Sequence, residues 1–440
     1  MHFSIPDTEE KVDEKGVPYT VYRINVNGAH HCTVRYRQLH LLHEHLKKEF
    51  GSGQLPSFPP KRLLALSKTQ VESRRMGLES YIQGVSQTTE VLNSSIFSNF
   101  MIQAQQGNLQ EESCNINIDI YLVNGQKVTI ECSNMAQTEQ VMSAAANEIG
   151  LAEEYMAYFG LFLVKLVDDR QILVRPLQEF ESPYISLRNA SEKYSHRIIF
   201  RKSFWDASYE DALMEDRICL NLLFCQAVSD LKQGWIEGSA DQIAQLKTLQ
   251  QKNSKKEYLR LIKTLKFYGY IKFEPCVTNY PHDNCNVIIA AGNKEMIFRI
   301  EIAPNTFKGG VFKITRIRCW RITTAVLNKD TDEEDEKLQT ELAFEYLIAK
   351  NTLQWITVTS NQAILMSMLL QSMVDELLLK REGERVKKVS SPTKSPLETS
   401  YSNSDIQNSI SETAPLSKSR SYNEKLQTNT AFEDIGDDDL

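Results

Sequence analysis

The sequence predicts an α+β protein built from several domains, and three observations carry that reading. At 440 residues the chain exceeds what one hydrophobic core ordinarily serves. Two stretches, near 17–36 and 116–132, alternate apolar and polar residues around an Asn-Gly turn before giving way to helical spacing. Beyond about residue 385 the composition shifts to Ser, Thr, Asn and Lys, which cannot bury enough apolar surface to fold.

In the first stretch Tyr22, Ile24 and Val26 alternate with Arg23 and Asn25, Asn27-Gly28 marks a hairpin turn, and His30 to Tyr36 runs back. Helical spacing follows over 37–49, ended by Gly51 and Gly53. A proline stretch, LPSFPPKRLLAL from Leu55 to Leu66, precedes a second helix over 69–86 with Leu78, Tyr81, Ile82 and Val85 on one face. Another helix is expected through Phe97 to Ile102, then a polar linker. A second unit opens with Ile116–Val123, the turn Asn124-Gly125 and Lys127–Cys132, followed by a helix over 136–149 and the strand Tyr158–Val164. Residues 207–268 read as helical. Strands return at Val287–Ala291, Met296–Ile302, Val311–Arg318 and Leu342–Tyr346, and Asn361 is the expected N-cap of a long helix reaching Lys380.

Bulk properties narrow the function. The formal charge of -7 and a pI near 5.8 exclude a protein that depends on a global cationic field to hold nucleic acid, so any anionic partner must meet a local patch. No apolar run approaches the roughly 20 residues of a membrane span, and the acidic start has no signal-peptide pattern. Eight cysteines are scattered singly without a C-x-x-C, as expected of reduced thiols in the cytoplasm. None of G-x-S-x-G, G-x-x-x-x-G-K-[ST], H-E-x-x-H or D-F-G occurs, so no catalytic residue is assigned and no enzyme is expected. His30, His31, His40, His43 and His45 could be read as metal ligands. Their spacing fits a solvated basic face better, so no metal and no cofactor are expected.

The proline stretch could be an SH3 ligand, since Pro56-x-x-Pro59 has that form. Its neighbours favour another reading. Arg35 and Tyr36 end a strand, Lys61 follows the Pro-Pro turn, and Arg74-Arg75 lie early in a helix. If these converge, they form a cationic pocket with an aromatic wall, suited to a phosphorylated sugar. Leu63, Leu64 and Leu66 would supply an apolar tip for a lipid interface. R-Y after the third strand, F-P-P-K after the helix and R-x-x-x-L-x-x-Y in the next helix resemble the phox-homology (PX) family, which implies a three-stranded sheet plus helices. That resemblance implies that Arg35 takes the 3-phosphate of phosphatidylinositol 3-phosphate. Tyr36 would pack on the inositol, Lys61 meet the 1-phosphate and Arg74 bond the ring hydroxyls, with Leu63 and Leu64 inserting into the membrane.

The remaining order, a ubiquitin-like unit, a helical unit, then a seven-stranded sandwich closed by a helix, resembles a FERM module with lobes F1, F2 and F3. The third lobe is similar to phosphotyrosine-binding (PTB) domains, which take an extended peptide along an exposed strand edge. The candidate edge is Ile317–Thr323, and the candidate wall is Met373, Val374, Leu377 and Leu378. CWRITT, ELAFEYL, LQWITVTSNQAILMS and LQSMVDEL are similar to the sorting nexin 17/31 branch of PX-FERM sorting nexins. By that resemblance Trp320, Val374 and Leu378 receive N-P-x-Y-type signals in receptor tails, although a strand Trp and helix Val374 and Leu378 are otherwise ordinary core positions. AFEDIGDDDL resembles the branch's terminal sequence, with Asp438 where the branch has Glu. It implies docking of the retriever complex through Ile435, Gly436, Asp437, Asp439 and Leu440, where composition alone would give a solubilising tail.

The expected division is a PX domain over 1–105, a linker over 106–114, F1 over 115–205, F2 over 206–274, F3 over 275–385 and a disordered tail over 386–440. The expected protein is a monomeric adaptor on early endosomes that recycles receptors and spares them lysosomal degradation. A cytoskeletal or small-GTPase scaffold and a PX-carrying lipid enzyme are the alternatives.

Overall fold

The computed structural model describes residues 1–62, 65–109, 112–168, 170–190, 193–303, 306–326, 338–383, 427–429, 431 and 432. The first unit is an antiparallel sheet of four strands, where three were expected. Pro18–Val26 pairs with Ala29–Arg35 across the predicted turn, with Thr8–Val12, and with the two-residue strand Phe3–Ser4. The added strand is too short for alternation to reveal, but Phe3 is fully buried. Asn27 and Gly28 both take positive φ, 50° and 80°, as the tight hairpin requires. Helix Tyr36–Phe50 turns Leu39, Leu42 and Leu46 onto the sheet, and Lys68–Val85 buries Leu78, Tyr81, Ile82 and Val85. Ser67 caps the latter: its hydroxyl accepts from the Gln70 amide, whose side chain returns to the Ser67 amide.

The second unit is a five-stranded mixed sheet in the order Lys127–Ser133, Asn115–Leu122, Ser195–Lys202, Phe159–Val167, Arg170–Pro176. Its core is continuous with that of the helices Arg217–Lys232, Ala240–Gln251 and Lys255–Ile262, so F1 and F2 share one apolar interior.

The third lobe holds nine strands among the described residues, closed by the helix Ala363–Arg381. Nine strands replace the seven expected, and three further expectations change here. Val311–Arg318 is not one strand: Thr306–Lys313 ends in a 3-10 turn, Ile314–Arg316, and a new strand, Ile317–Val326, begins. Asn361 does not cap the helix. Gln362 holds that position, and its side chain is engaged elsewhere, accepting from the Glu274 amide at 2.9 Å and donating to the Leu173 carbonyl at 3.0 Å. Finally, part of the expected disordered tail is folded: Gln427–Thr428 pairs antiparallel with Ile317–Val326.

Side-chain contacts join the units. Phe180 of the second unit is buried in the core of the first, edge-on to Phe97 and His31. Beside it the buried Arg175 and Glu181 form a bidentate pair at 2.6 and 2.7 Å, and Gln105 accepts from the Ser182 amide at 2.7 Å. At the other end Glu376 of the closing helix accepts from the Trp205 and Asp206 amides.

Candidate functional site

The PX pocket is built on aromatic rings. Arg35 lies at the seam between the strand Ala29–Arg35 and the helix Tyr36–Phe50, and its amide donates to Gln38 Oε1 at 2.8 Å, fixing the turn. Its guanidinium lies over the Tyr19 ring at 3.8 Å, and that of Arg74 lies over the Tyr36 ring at 4.2 Å. The Tyr36 hydroxyl donates to the Pro59 carbonyl at 2.8 Å, and Arg74 reaches the Pro60 carbonyl at 3.5 Å. Lys61, the next residue, is exposed. Tyr36, Arg74 and the Pro59–Pro60 backbone that leads into Lys61 therefore meet, while the Arg35 guanidinium, on the residue before Tyr36, lies on Tyr19. Leu63 and Leu64 lie outside the described residues.

Arg74 and Arg75 part ways. Arg75 turns inward, ion-paired to Glu72 at 2.7 Å and Glu79 at 3.3 Å, and bonded to the Ile5 carbonyl. It is structural, whereas Arg74 faces the pocket. Burial pushes the Tyr36 and Tyr22 phenols up, with the Arg74 charge opposing, so both remain neutral donors at pH 7.

The Pro-Pro turn is clamped from beneath. Phe58 stacks on His43 at 4.7 Å and meets Tyr81 edge-on at 4.8 Å, while His43 Nδ1 and the Tyr81 hydroxyl are 3.0 Å apart. Pro59 lies so close to Gly77 that an added Cβ would sit 2.8 Å from Pro59 Cγ. His40 and His43 are thus part of an aromatic cluster, not the solvated face expected, and His31 is buried against the Met101 carbonyl. Among the described residues no group of three metal-binding side chains occurs.

Tyr19 was not singled out from the sequence, though the signal was present. The hairpin sets Arg35 opposite Val21, which makes Tyr19 its diagonal neighbour two residues away.

The expected peptide edge in F3 is not open. Cys319 and Trp320 pair with Thr428 and Gln427, and the Asn429 amide donates to the Arg318 carbonyl at 2.9 Å. The Asn429 side chain is buried, donating to the Ile314 and Ile317 carbonyls at 2.8 and 2.6 Å and accepting from the Ala431 amide at 2.9 Å. Asn429 to Phe432 reads N-T-A-F, an Asn-x-x-aromatic sequence, and Ala431 is fully buried. With this segment in place Trp320 and Val374 are each 1% exposed and share one core, with Leu378 half-buried against it. Trp320 Nε1 donates to Ser367 Oγ at 3.0 Å. Ile435, Gly436, Asp437, Asp439 and Leu440 lie outside the described residues.

A four-stranded unit with arginines stacked on aromatic rings, joined to a three-lobed module whose last lobe holds a short strand of the tail at a strand edge, has the architecture of a PX-FERM protein. Residues 22–103 match the PX domain family, 116–205 the sorting nexin 17/27/31 FERM F1 lobe, 206–266 the sorting nexin 17/31 FERM F2 lobe, and 269–378 the sorting nexin 17 FERM C-terminal domain. The chain is 44% identical to sorting nexin-17 of Danio rerio across all of both chains. It is 44% identical to the Homo sapiens sorting nexin-17 over 88% of this chain and 84% of that one. With Homo sapiens sorting nexin-31 the identity is 32%, over 87% of each. The chain belongs to the sorting nexin 17/31 family. Its PX domain implies phosphoinositide binding, its F3 lobe implies a cargo-binding role, and such adaptor families are generally non-enzymatic.

Proposed function

We propose that this sorting nexin is an endosomal cargo adaptor. The PX lobe holds phosphatidylinositol 3-phosphate on the cytoplasmic face of early endosomes, and the F3 lobe holds N-P-x-Y or N-x-x-Y signals in receptor tails. Cargo held this way is recycled and spared lysosomal degradation.

The observation that carries the reading is the segment Gln427–Asn429 beside the strand Ile317–Val326. The strand Gln427–Thr428 leads there into Asn429, whose side chain is saturated by backbone partners and whose carbonyl accepts from the Phe432 amide, so a receptor tail of Asn-x-x-aromatic form has a template to replace. Strand addition gives the register and the buried asparagine gives the choice. For the lipid, aromatic rings hold the orientation of Arg35 and of Arg74, whose planar donors would meet one head group. Arg35 would take the 3-phosphate, Arg74 the ring hydroxyls, Tyr36 the inositol face and Lys61 the 1-phosphate, with Leu63 and Leu64 in the bilayer. The terminal residues Ile435, Gly436, Asp437, Asp439 and Leu440 would recruit retriever. A pull-down in which removal of Leu440 leaves retriever capture unchanged would refute that last assignment.

Vesicle pelleting and calorimetry test the two main sites. Arg35→Ala should abolish pelleting with phosphatidylinositol 3-phosphate vesicles, and Val374→Asp should abolish binding of an N-P-x-Y peptide. Full retention in either variant removes that site from the reading.

A further inference from the structure

The F3 sheet ends on the strand Thr306–Lys313, and among the described residues no strand pairs with its outer side. Ile314 donates its amide back to the Lys294 carbonyl at 2.9 Å, whereas Lys313 turns its amide the other way, to the Tyr346 hydroxyl at 3.3 Å. The register with the neighbouring strand Glu295–Ala303 is regular from Lys313 to Phe307. By two-residue alternation Val311, Gly309 and Phe307 therefore also turn their amides and carbonyls outward. The same three residues share one face of the sheet. Phe307 and Val311 are 41% and 52% exposed, and Gly309 leaves a gap between them: a Cβ added there would meet nothing within 4 Å. Arg299 stands opposite Gly309 and lays its guanidinium over the Phe307 ring at 4.3 Å. It also reaches Glu237 at 3.8 Å, but both side chains are open to water, so that pair holds it weakly. A cationic slot between two apolar walls thus runs beside a row of outward backbone donors and acceptors.

We propose that this edge takes an extended acidic segment of a partner protein by strand addition. The partner's main chain completes the ladder along Phe307, Gly309 and Val311. Its side chains on the shared face alternate as apolar-x-acid-x-apolar: the apolar pair packs on Phe307 and Val311, and the carboxylate enters the gap at Gly309 to meet Arg299. Glycine within a strand often marks such a close approach of another backbone. Lysines on an edge ordinarily discourage pairing. Here the exposed Lys308 and Lys313 add to Arg299 and select for an acidic strand. Lipid does not suit this edge, because backbone groups left without partners cannot enter hydrocarbon without a cost of several kcal/mol each. A second copy of the chain suits it poorly, since it would bring the same cations to the same place. The strand is not the one at which Gln427–Thr428 pairs, so the proposal stands apart from the cargo reading.

The test titrates the full chain with a labelled peptide, Thr-Val-Thr-Glu-Thr-Val-Thr, read by fluorescence anisotropy, and follows hydrogen exchange of the amides in 306–313. Binding with slower exchange in that strand is the expected result. Gly309→Pro removes an outward amide without costing a ladder bond and should abolish binding. Arg299→Glu should weaken binding about tenfold and shift the preference to a peptide with Lys in place of Glu. If Gly309→Pro unfolds the lobe, Arg299→Glu, at an exposed position, decides alone. Absence of binding overturns the proposal, and loss of anionic-vesicle pelleting or of self-association in Arg299→Glu would then give the edge to lipid or to a second copy. Binding that slows exchange in 317–326 instead, that Arg299→Glu leaves unchanged, or that the Lys peptide matches in the unaltered chain also overturns it.

Discussion

The PX pocket and the F3 groove solve opposite problems. The first site holds its cations without a ligand by stacking each guanidinium on a ring: Arg35 on Tyr19 and Arg74 on Tyr36. The F3 edge would leave apolar surface and unpaired backbone next to water, and Gln427–Asn429 and Ala431 cover it. The difference is instructive. Cations remain solvated while they wait, so an anion pocket can stay open at little cost. A bare sheet edge beside Trp320 would invite aggregation, and a resident strand prevents it.

The sharpest way to separate the two is to damage one and read both. Val374→Asp puts an unpaired carboxylate at a position 1% exposed, and should cost several kcal/mol in F3 as well as peptide binding. Thermal unfolding and calorimetry would show both losses, while vesicle pelleting by the PX lobe should persist. Arg35→Ala is next. Loss of a charge-assisted contact to a phosphate should reduce affinity for phosphatidylinositol 3-phosphate roughly 10- to 100-fold, with peptide binding unchanged. Gly77→Ala is subtler. Its new methyl meets Pro59 and must push the Pro59–Lys61 backbone outward, so vesicle binding should fall several-fold with little change in the Arg35 region.

The smallest effect concerns the helix that carries the groove. Burial raises the Glu376 carboxyl to about 7, against an ordinary value of 4.5, despite the Trp205 and Asp206 amides that favour its charge. A pKa raised in the folded state means the protonated form is favoured by folding. The contribution is complete below pH 4.5 and is lost as pH rises to about 7. His31 has the opposite sign. Burial lowers its imidazole to about 4, so its contribution is present above pH 6.5 and lost as pH falls toward 4. Glu376→Gln should therefore leave stability at pH 5 little changed and raise it modestly at pH 8, flattening the pH profile. A melting-temperature series from pH 5 to 8 measures this, and an unchanged slope would contradict the assignment.

Legibility followed the range of the signal. Local chemistry was readable: the Asn27-Gly28 turn set the hairpin, the hairpin set Arg35 at a strand end, and R-x-x-x-L-x-x-Y set Arg74 outward on its helix. What failed depended on distant partners. Gln362 displaced Asn361 as helix cap because its side chain binds Glu274 and Leu173, both far away in sequence. The Ile314–Arg316 turn interrupts an apolar run that reads as one strand, and Asn429 later binds that corner through the Ile314 carbonyl. The docked segment itself is polar, and main-chain pairing leaves no periodicity to detect. Its Asn-x-x-Phe spelling is the one feature of it that the sequence displays.

The central proposal is that the PX lobe binds a phosphoinositide and the F3 lobe binds a receptor tail at the same membrane, with Phe180 and Glu376 among the contacts that join the units. Vesicles carrying phosphatidylinositol 3-phosphate and a lipid-anchored N-P-x-Y peptide together test it most directly. Binding at least tenfold tighter than to vesicles with either ligand alone is predicted, because the second contact forms at high local concentration. Binding no tighter than the better single ligand would contradict it.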